Sequence, residues 1–363
     1  MIYSIFANKD ATLNEQYPEM NTGLDEVLTI EKIASSSVSP VTYNSRAIVH
    51  FDIDWPALVG LGMPIASGSR AAYLNMYVTE EKNIGADYEL VADAVGESWD
   101  QGLGRESHSP KTSEGASWKY RNKTQQWGSW GGSEWFGSGA GANPFAQSFN
   151  DKNKDLRLDV SKLTADWSSS NINIDNNGFV VMRSGSQEWD GLSYGSVQFF
   201  GKNTHTIYQP KLEICWEDAT FNTGSLTALN MNDPDDNFFS IKSNRGEYTK
   251  NSKVRFTIRG RKRYHVKTYQ NKSEELKIKI VDEISTNAGV PMTYAIIDAK
   301  TGEAVIPHAT DYTQLSCHAS RGMFFEFYTN GLSEDRYYTV QLKYTNGTDL
   351  AYYNLKETFR VVR

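Results

Sequence analysis

SRAIVHFDI, Ser45 to Ile53, is the stretch that decides the fold class. Ala47, Val49, Phe51 and Ile53 occupy alternate positions, and a two-residue period marks a half-buried strand because successive side chains leave opposite faces. The same period recurs in AAYLNMYVT, Ala71 to Thr79, with Tyr73 and Tyr77 on one face and Leu74, Met76 and Val78 on the other. Further runs at Gly178 to Met182, Ser196 to Phe200 and Lys211 to Trp216 read as strands between turn residues. One helical pattern stands out: in DVSKLTADWSSS, Asp159 to Ser170, Val160, Leu163 and Trp167 fall on one face. The expectation is an all-β chain of sandwich type with one short helix.

Beyond Glu217 the texture changes. EDATFNTGSLTALNMNDPDDN, Glu217 to Asn237, is rich in Asp, Asn, Thr and Gly and contains Pro234, which reads as a linker. Strands resume at Lys253 to Gly260, Leu276 to Val281, Thr293 to Ile297, Met323 to Tyr328, Tyr337 to Tyr344 and Leu355 to Val362, a count that fits an immunoglobulin-like sandwich. The predicted organisation is residues 1–217, a linker 218–237 and residues 238–363. A length of 363 residues suits two domains, and a 39% hydrophobic share suffices for packed cores. The net charge of −7 supplies no global field for nucleic acid or an anionic membrane, so neither is an expected partner.

Cys215 and Cys317 are too few and too far apart for a disulfide framework and read as buried thiols. MIYSIFANKDATLNE at the start lacks a basic region, a long apolar run and a cleavage site, so synthesis and folding in the cytoplasm are expected. No apolar run approaches the roughly eighteen residues that span a bilayer.

Enzyme signatures are missing: there is no HExxH, P-loop or GxSxG, and the histidines are scattered. GSGAGA, Gly137 to Ala142, sits between Trp135-Phe136 and Asn143-Pro144 and reads as a loop rather than a dinucleotide turn. DKNKD offers Asp151, Asn153 and Asp155 as hard oxygen ligands for calcium, but Leu156 and Lys162 stand where an EF-hand needs glycine and glutamate. Carboxylate pairs occur at Glu80-Glu81, Asp235-Asp236 and Glu188/Asp190 around Trp189. Surface acids are the simpler reading of all three. RFTIRGRKRYHVK, Arg255 to Lys267, concentrates positive charge at Arg255, Arg259, Arg261, Lys262, Arg263 and Lys267. It reads either as a docking patch for an acidic surface or as an edge strand whose charge deters pairing.

SWKYRNKTQQWGSWGGSEWFGSGAGANP, Ser117 to Pro144, holds Trp118, Trp127, Trp130 and Trp135. Such rings either form a stacking platform or cover a thin β-core.

The ordered series DATLNEQYPEMNTGLDEVLTI, SRAIVHFDID, AAYLNMYV, GESWDQG, GASWKYRNKTQQWGSWGG, LDVSKLTADWSSSNINIDNNGFVV and YQPKLEICWED resembles the DNRLRE family of β-sandwiches, found in secreted bacterial and phage-encoded proteins. The resemblance spans about 200 residues, from Asp10 to Asp218. This chain departs from it in the glycine-rich extension after Trp130. The resemblance implies a jelly-roll-like first domain whose core takes in Trp118, Trp127 and Trp167. Trp130, Trp135 and Phe136 are left as a contact surface, for a carbohydrate or another subunit. Thr293 to Tyr344, with IDAKTGE, TQLSC and GLSEDRYY, is similar to terminal domains of structural proteins of large tailed phages. Together the two imply a non-enzymatic virion component without cofactor, in a neck, collar or tail position. Its partners would be other virion proteins and copies of itself in a symmetric ring, with Arg259, Arg261, Lys262 and Arg263 meeting carboxylates of a neighbour. The alternative is an adhesion module that binds glycans.

Overall fold

The computed structural model describes residues 1–34, 41–84, 87–129, 131–132, 146–150, 154–168, 175–222, 227–229, 237–263, 279–281, 292–346 and 349–363. The fold is all-β, and the chain divides into two compact units: Ser4–Ile214, and Met1–Tyr3 with Cys215–Arg363.

The first run of strands is β1 (Ile2–Phe6), β2 (Lys9–Asn14), β3 (Val27–Ala34), β4 (Thr42–His50), β5 (Arg70–Met76), β6 (Val78–Lys82), β7 (Tyr88–Ala94), β8 (Ala146–Phe149), β9 (Leu156–Asp159), β10 (Phe179–Arg183), β11 (Gly195–Phe200) and β12 (Lys211–Trp216). They form a four-stranded sheet, β1-β12-β5-β9, and an eight-stranded one, β6-β11-β3-β4-β10-β7-β8, to which β2 adds along β4. The SRAIVHFDI strand is the pivot. Thr42 to Asn44 pair with β3, Ser45 to His50 pair with β2, and Ala47 to Val49 pair with β10 on the other side. Both faces of this segment are covered, so Ala47, Ile48, Val49 and Phe51 are all fully buried rather than alternating with exposed neighbours.

Among the described residues there are three short α-helices rather than the single one expected: α1 (Trp55–Gly60), α2 (Ser161–Ser168) and α3 (Gly185–Trp189). α2 lies within the predicted segment and buries Leu163, Thr164 and Trp167. α1 and α3 have only six and five residues, too short for a 3.6-residue period to register in sequence. α1 begins where the Asp54 carboxylate accepts the Ala57 N–H at 2.9 Å, a side-chain cap on an otherwise unsatisfied donor.

Each face of the large sheet is sealed by a different device. On one, Phe179 meets Phe51 and the α2 ring of Trp167, with centroids 6.0 and 4.7 Å away. On the other, Trp118 and Trp127 join Ala11, Leu13, Ile48, Val95, Trp99, Ala116 and Val180 in one apolar cluster. Trp118 and Trp127 are 5% and 3% exposed, so burial of about 2 to 3 kcal/mol per ring accounts for them without a ligand. The Trp127 indole N–H donates to Ser117 O at 2.8 Å and that of Trp99 to Asn177 O at 2.8 Å. The long excursion that carries these rings is fastened by Asn21. Its Nδ2 donates to Gln101 O and Ala116 O, and its Oδ1 accepts from Gly104 N–H at 2.7 Å. Such close backbone approach leaves no room for a side chain: a Cβ at Gly115 would lie 2.4 Å from Gly102 Cα.

The second unit contains β13 (Phe221–Asn222), β14 (Thr227–Leu229), β15 (Asn237–Ile241), β16 (Glu247–Thr249), β17 (Lys253–Lys262), β18 (Lys279–Val281), β19 (Thr293–Asp298), β20 (Ala304–Ile306), β21 (Ser316–His318), β22 (Gly322–Tyr328), β23 (Tyr337–Asn346) and β24 (Asp349–Val362). Two five-stranded sheets, β13-β21-β22-β17-β15 and β16-β24-β23-β19-β20, are joined by the pair β14-β18. The core is aromatic: Phe256 contacts Phe325, Phe327 and Phe359, and Tyr294 stacks on Phe325 at 4.0 Å. Cys215 and Cys317 are free and buried. The stretch anticipated as a linker supplies β13 and β14, each paired in parallel with a strand from far along the chain. Parallel partners of that kind lie outside the reach of local pattern, and the polar composition masks them.

Candidate functional site

Residues Arg259, Arg261, Lys262 and Arg263 lie at the end of β17 and just beyond it. β17 pairs with β22 through Lys253–Ile258 and with β15 through Ile258–Lys262, so the half that carries Arg259, Arg261 and Lys262 is paired along one side among the described residues. Alternation sends Val254, Phe256, Ile258 and Gly260 into the core and Lys253, Arg255, Thr257, Arg259 and Arg261 outward. Lys253 and Arg255 are spent on Glu326, at 2.7 and 2.6 Å. Burial opposes ionisation of Glu326, but these two hydrogen-bonded cations outweigh it and hold the carboxyl below its usual range. Further along, the Arg261 guanidinium lies 4.7 Å over the ring of Phe238 on β15, a cation–π contact with an aromatic that is 37% exposed.

The aromatic candidates Trp130, Trp135 and Phe136 lie outside the described residues, as do Asp151 and Asn153 of the proposed calcium loop. Asp155 is described, and its Oδ1 accepts the Val78 N–H at 2.9 Å. No group of three or more His, Cys, Asp or Glu side chains suited to a metal occurs among the described residues.

Of the carboxylate pairs, Asp235-Asp236 lies outside the described residues, Glu80 pairs with exposed Lys82 at 2.8 Å, and Glu81 accepts from the Tyr88 hydroxyl at 3.3 Å. The surface reading fails for Glu188, which is 4% exposed, and holds for Asp190, which is exposed although ion-paired. Glu188 accepts both ends of a fork from Arg46, Nε at 2.7 Å and Nη2 at 2.8 Å, with both side chains 4% exposed. The Arg46 guanidinium also donates to Gly131 O at 2.8 Å and lies 5.1 Å over the Trp118 ring. Asp190 accepts from Lys32 Nζ at 2.7 Å, from the Tyr194 hydroxyl at 2.5 Å and from Leu192 N–H at 2.9 Å. Desolvation works against the Asp190 charge, yet the Lys32 and Tyr194 hydrogen bonds prevail and lower its pKa to about 2.

The consequence is a rigid pedestal. Glu188 points inward to Arg46, Asp190 is tied at the surface to buried Lys32, Gly191 turns the chain at φ +72°, and Trp189 and Leu192 are left outward at 71% and 60% exposure. An exposed tryptophan beside an exposed leucine, on backbone clamped from both sides, is the arrangement of a protein-binding anchor, because little conformational freedom remains to be lost on association. Sequence reading missed it because Arg46 and Lys32 lie 142 and 158 residues away. The signal that could have found it is the WDGL turn itself, with two large apolar residues around an Asp-Gly step.

A separate cleft of about 70 Å³ is lined by residues that include Thr12, Asn14, Asp25, Glu31, Glu106 and Gln198. Burial, followed by repulsion from Glu106, raises the carboxyls of Asp25 and Glu31, with a backbone N–H and the Ser45 hydroxyl partly offsetting this. Drug-sized ligands occupy roughly 300 to 1,000 Å³, so the cleft suits a few waters better than a substrate.

No family model matches the chain and no curated protein matches it. Among solved structures, a DUF4785 family protein from Legionella pneumophila is similar at 9% identity and a TM-score of 0.18, over 99% of this chain and 62% of that one. The chain thus spans less than two thirds of that protein, and a similarity so weak bears on neither fold nor function. Among the described residues no helix is long and apolar enough to cross a membrane.

Proposed function

We propose that this chain is a non-enzymatic structural protein of a tailed-phage virion, an adaptor in a neck, collar or tail that docks onto other virion proteins and onto copies of itself. The virion part rests on the resemblances of Asp10 to Asp218 and Thr293 to Tyr344. The docking part rests on one observation, the Trp189–Leu192 tip held between the Arg46–Glu188 and Lys32–Asp190 ion pairs. The test is cryo-electron microscopy of intact particles, with and without Trp189→Ala/Leu192→Ala in the encoded chain. Density for this chain that is lost in the double variant supports the reading; particles in which the chain is never found overturn it.

A second reading, a carbohydrate-binding or adhesion module, is favoured by the same exposed indole face, on which a sugar ring could stack. Beside that ring Glu188 is turned inward and Asp190 is already bonded to Lys32 and Tyr194, which engages the hydrogen-bonding groups a sugar would need next to it. Glycan-array binding by the isolated chain that disappears in Trp189→Ala selects this reading over the first.

A further inference from the structure

The outward face of the second unit's β16-β24-β23-β19-β20 sheet carries a polar relay that ends beside an exposed ring. We infer that this face binds an acidic saccharide, a hexuronate chain in which one sugar ring stacks on Tyr352, its carboxylate meets Lys343 and its hydroxyl oxygens meet the Asn354 amide. This goes beyond the docking reading and uses a different surface from the Trp189 tip.

The relay can be followed atom by atom. Gln341 Nε2 donates to Asn354 Oδ1 at 2.7 Å, which leaves Gln341 Oε1 as the acceptor 3.1 Å from His308 Nε2. His308 Nε2 therefore carries the proton, and its Nδ1, 3.0 Å from Thr293 Oγ1, accepts the threonine hydroxyl. An imidazole used in this way is neutral. Burial lowers the His308 pKa and so favours that form, with the Gln341 hydrogen bond partly offsetting it. Thr293 is 5% exposed, so the chain of bonds is anchored inside and fixes both amides before any ligand arrives.

What the relay leaves facing solvent is one-sided. Both Asn354 Nδ2 hydrogens and the second Gln341 Nε2 hydrogen are donors. Gln341 is paired in register with Asn354, and Lys343 with Tyr352, so the four side chains share one face. Lys343 is half-buried, Lys356 further along β24 is exposed, and no carboxylate pairs with either ammonium among the described residues.

A lone exposed tyrosine on a strand is ordinary. This one is 51% exposed, and its ring centroid stands 6.0 Å from that of His308, beside the end of the relay. The complementary ligand presents an apolar face to the ring, oxygen acceptors to the amides and negative charge to the lysine. A pyranose has a C–H face for the first and hydroxyl oxygens for the second, and a uronic carboxylate supplies the third. A neutral sugar lacks the charge, and an acidic peptide lacks the flat face.

The experiment uses the full chain and titration calorimetry with trimers of galacturonate, glucuronate and mannuronate at about 0.1 M salt, where charges beyond about 10 Å are screened. The comparisons are the carboxyl-reduced counterparts of the three trimers, triglutamate, and the protein variants Tyr352→Ala, Lys343→Gln and Asn354→Asp. These variants change exposed or half-buried side chains, so folding is retained. Saturable binding of at least one uronate trimer is expected. It should weaken by about tenfold or more in the reduced counterpart, in triglutamate and in each variant, the scale of one lost charge-assisted hydrogen bond. If no uronate trimer binds, or if triglutamate binds as well as the best of them, the saccharide assignment is wrong. Unchanged affinity in Tyr352→Ala refutes the stacking platform, and unchanged affinity in Lys343→Gln or Asn354→Asp refutes the donor face. Trp189→Ala should bind as the parent does; loss of sugar binding there overturns this site in favour of the indole on the first unit. None of these results bears on the docking reading, which is tested separately by the particle experiment.

Discussion

Substituting Glu188 by Gln should cost the first unit more than almost any other single change of equal size. The side chain keeps its shape but loses the charge that two Arg46 nitrogens, at 2.7 and 2.8 Å, are held to meet. Arg46 is then left charged and 4% exposed, with Gly131 O and the Trp118 face among its other contacts. Removing one member of a buried pair costs about 3 to 5 kcal/mol, because the desolvation penalty of the other remains. For a unit of the size of Ser4–Ile214, with about 2 to 4 °C per kcal/mol, that is a fall in Tm of roughly 6 to 20 °C. Tryptophan fluorescence during thermal unfolding is a suitable assay, since the Trp118 ring lies against the guanidinium. Replacing both residues, as Arg46→Met/Glu188→Met, removes the uncompensated charge and should recover most of the loss. A Glu188→Gln variant within about 1 kcal/mol of the parent, the range of an exposed pair, would refute the claim that this ion pair is desolvated and clamps the tip.

Other outcomes follow from the same geometry. Trp189→Ala should leave stability within about 0.5 kcal/mol, measured by urea unfolding, because the ring is 71% exposed; a larger loss would mean the ring packs on its own unit. Gly115→Ala should destabilise the first unit severely, seen as loss of its melting transition, since the new Cβ would sit 2.4 Å from Gly102 Cα. Burial raises the Asp10 carboxyl to about 6, with the Lys202 N–H only partly offsetting it. Between an unfolded value of about 3.9 and that figure the folded chain holds a proton that the unfolded chain releases, so stability falls as pH rises through this window. Asp10→Asn should therefore match the parent near pH 4 and exceed it above pH 6, by up to about 3 kcal/mol; parallel stability curves across pH 4 to 7 would contradict the assignment.

Much of the architecture could be read directly from the chain. Ser45 to Ile53 announced a strand through its alternation, and the same period located most of the second unit's strands, including β17, β22, β23 and β24. Leu163 and Trp167 announced the buried face of α2. The burial of Trp118 and Trp127 was implied by the resemblance to the DNRLRE sandwiches, whereas the residues alone left a stacking platform equally open. Less of the candidate site was readable. The cluster from Arg259 to Arg263 was visible as charge, but its place alongside β15 belongs to the pairing of β15 with β17. Glu188 read as a surface acid because nothing within a few residues differs from a solvated turn.

Periodicity and residue size are properties of a few consecutive residues, and they determined by themselves that this protein is built of strands with aromatic cores. Which charges are buried and which tryptophan faces solvent depend on partners that lie up to about 160 positions away in the chain. A carboxylate costs little in water and several kcal/mol when buried without a partner. Only the tertiary structure, by bringing Arg46 to Glu188 and Lys32 to Asp190, decided that Glu188 turns inward, that Asp190 is tied to a buried lysine and that Trp189 stays outside.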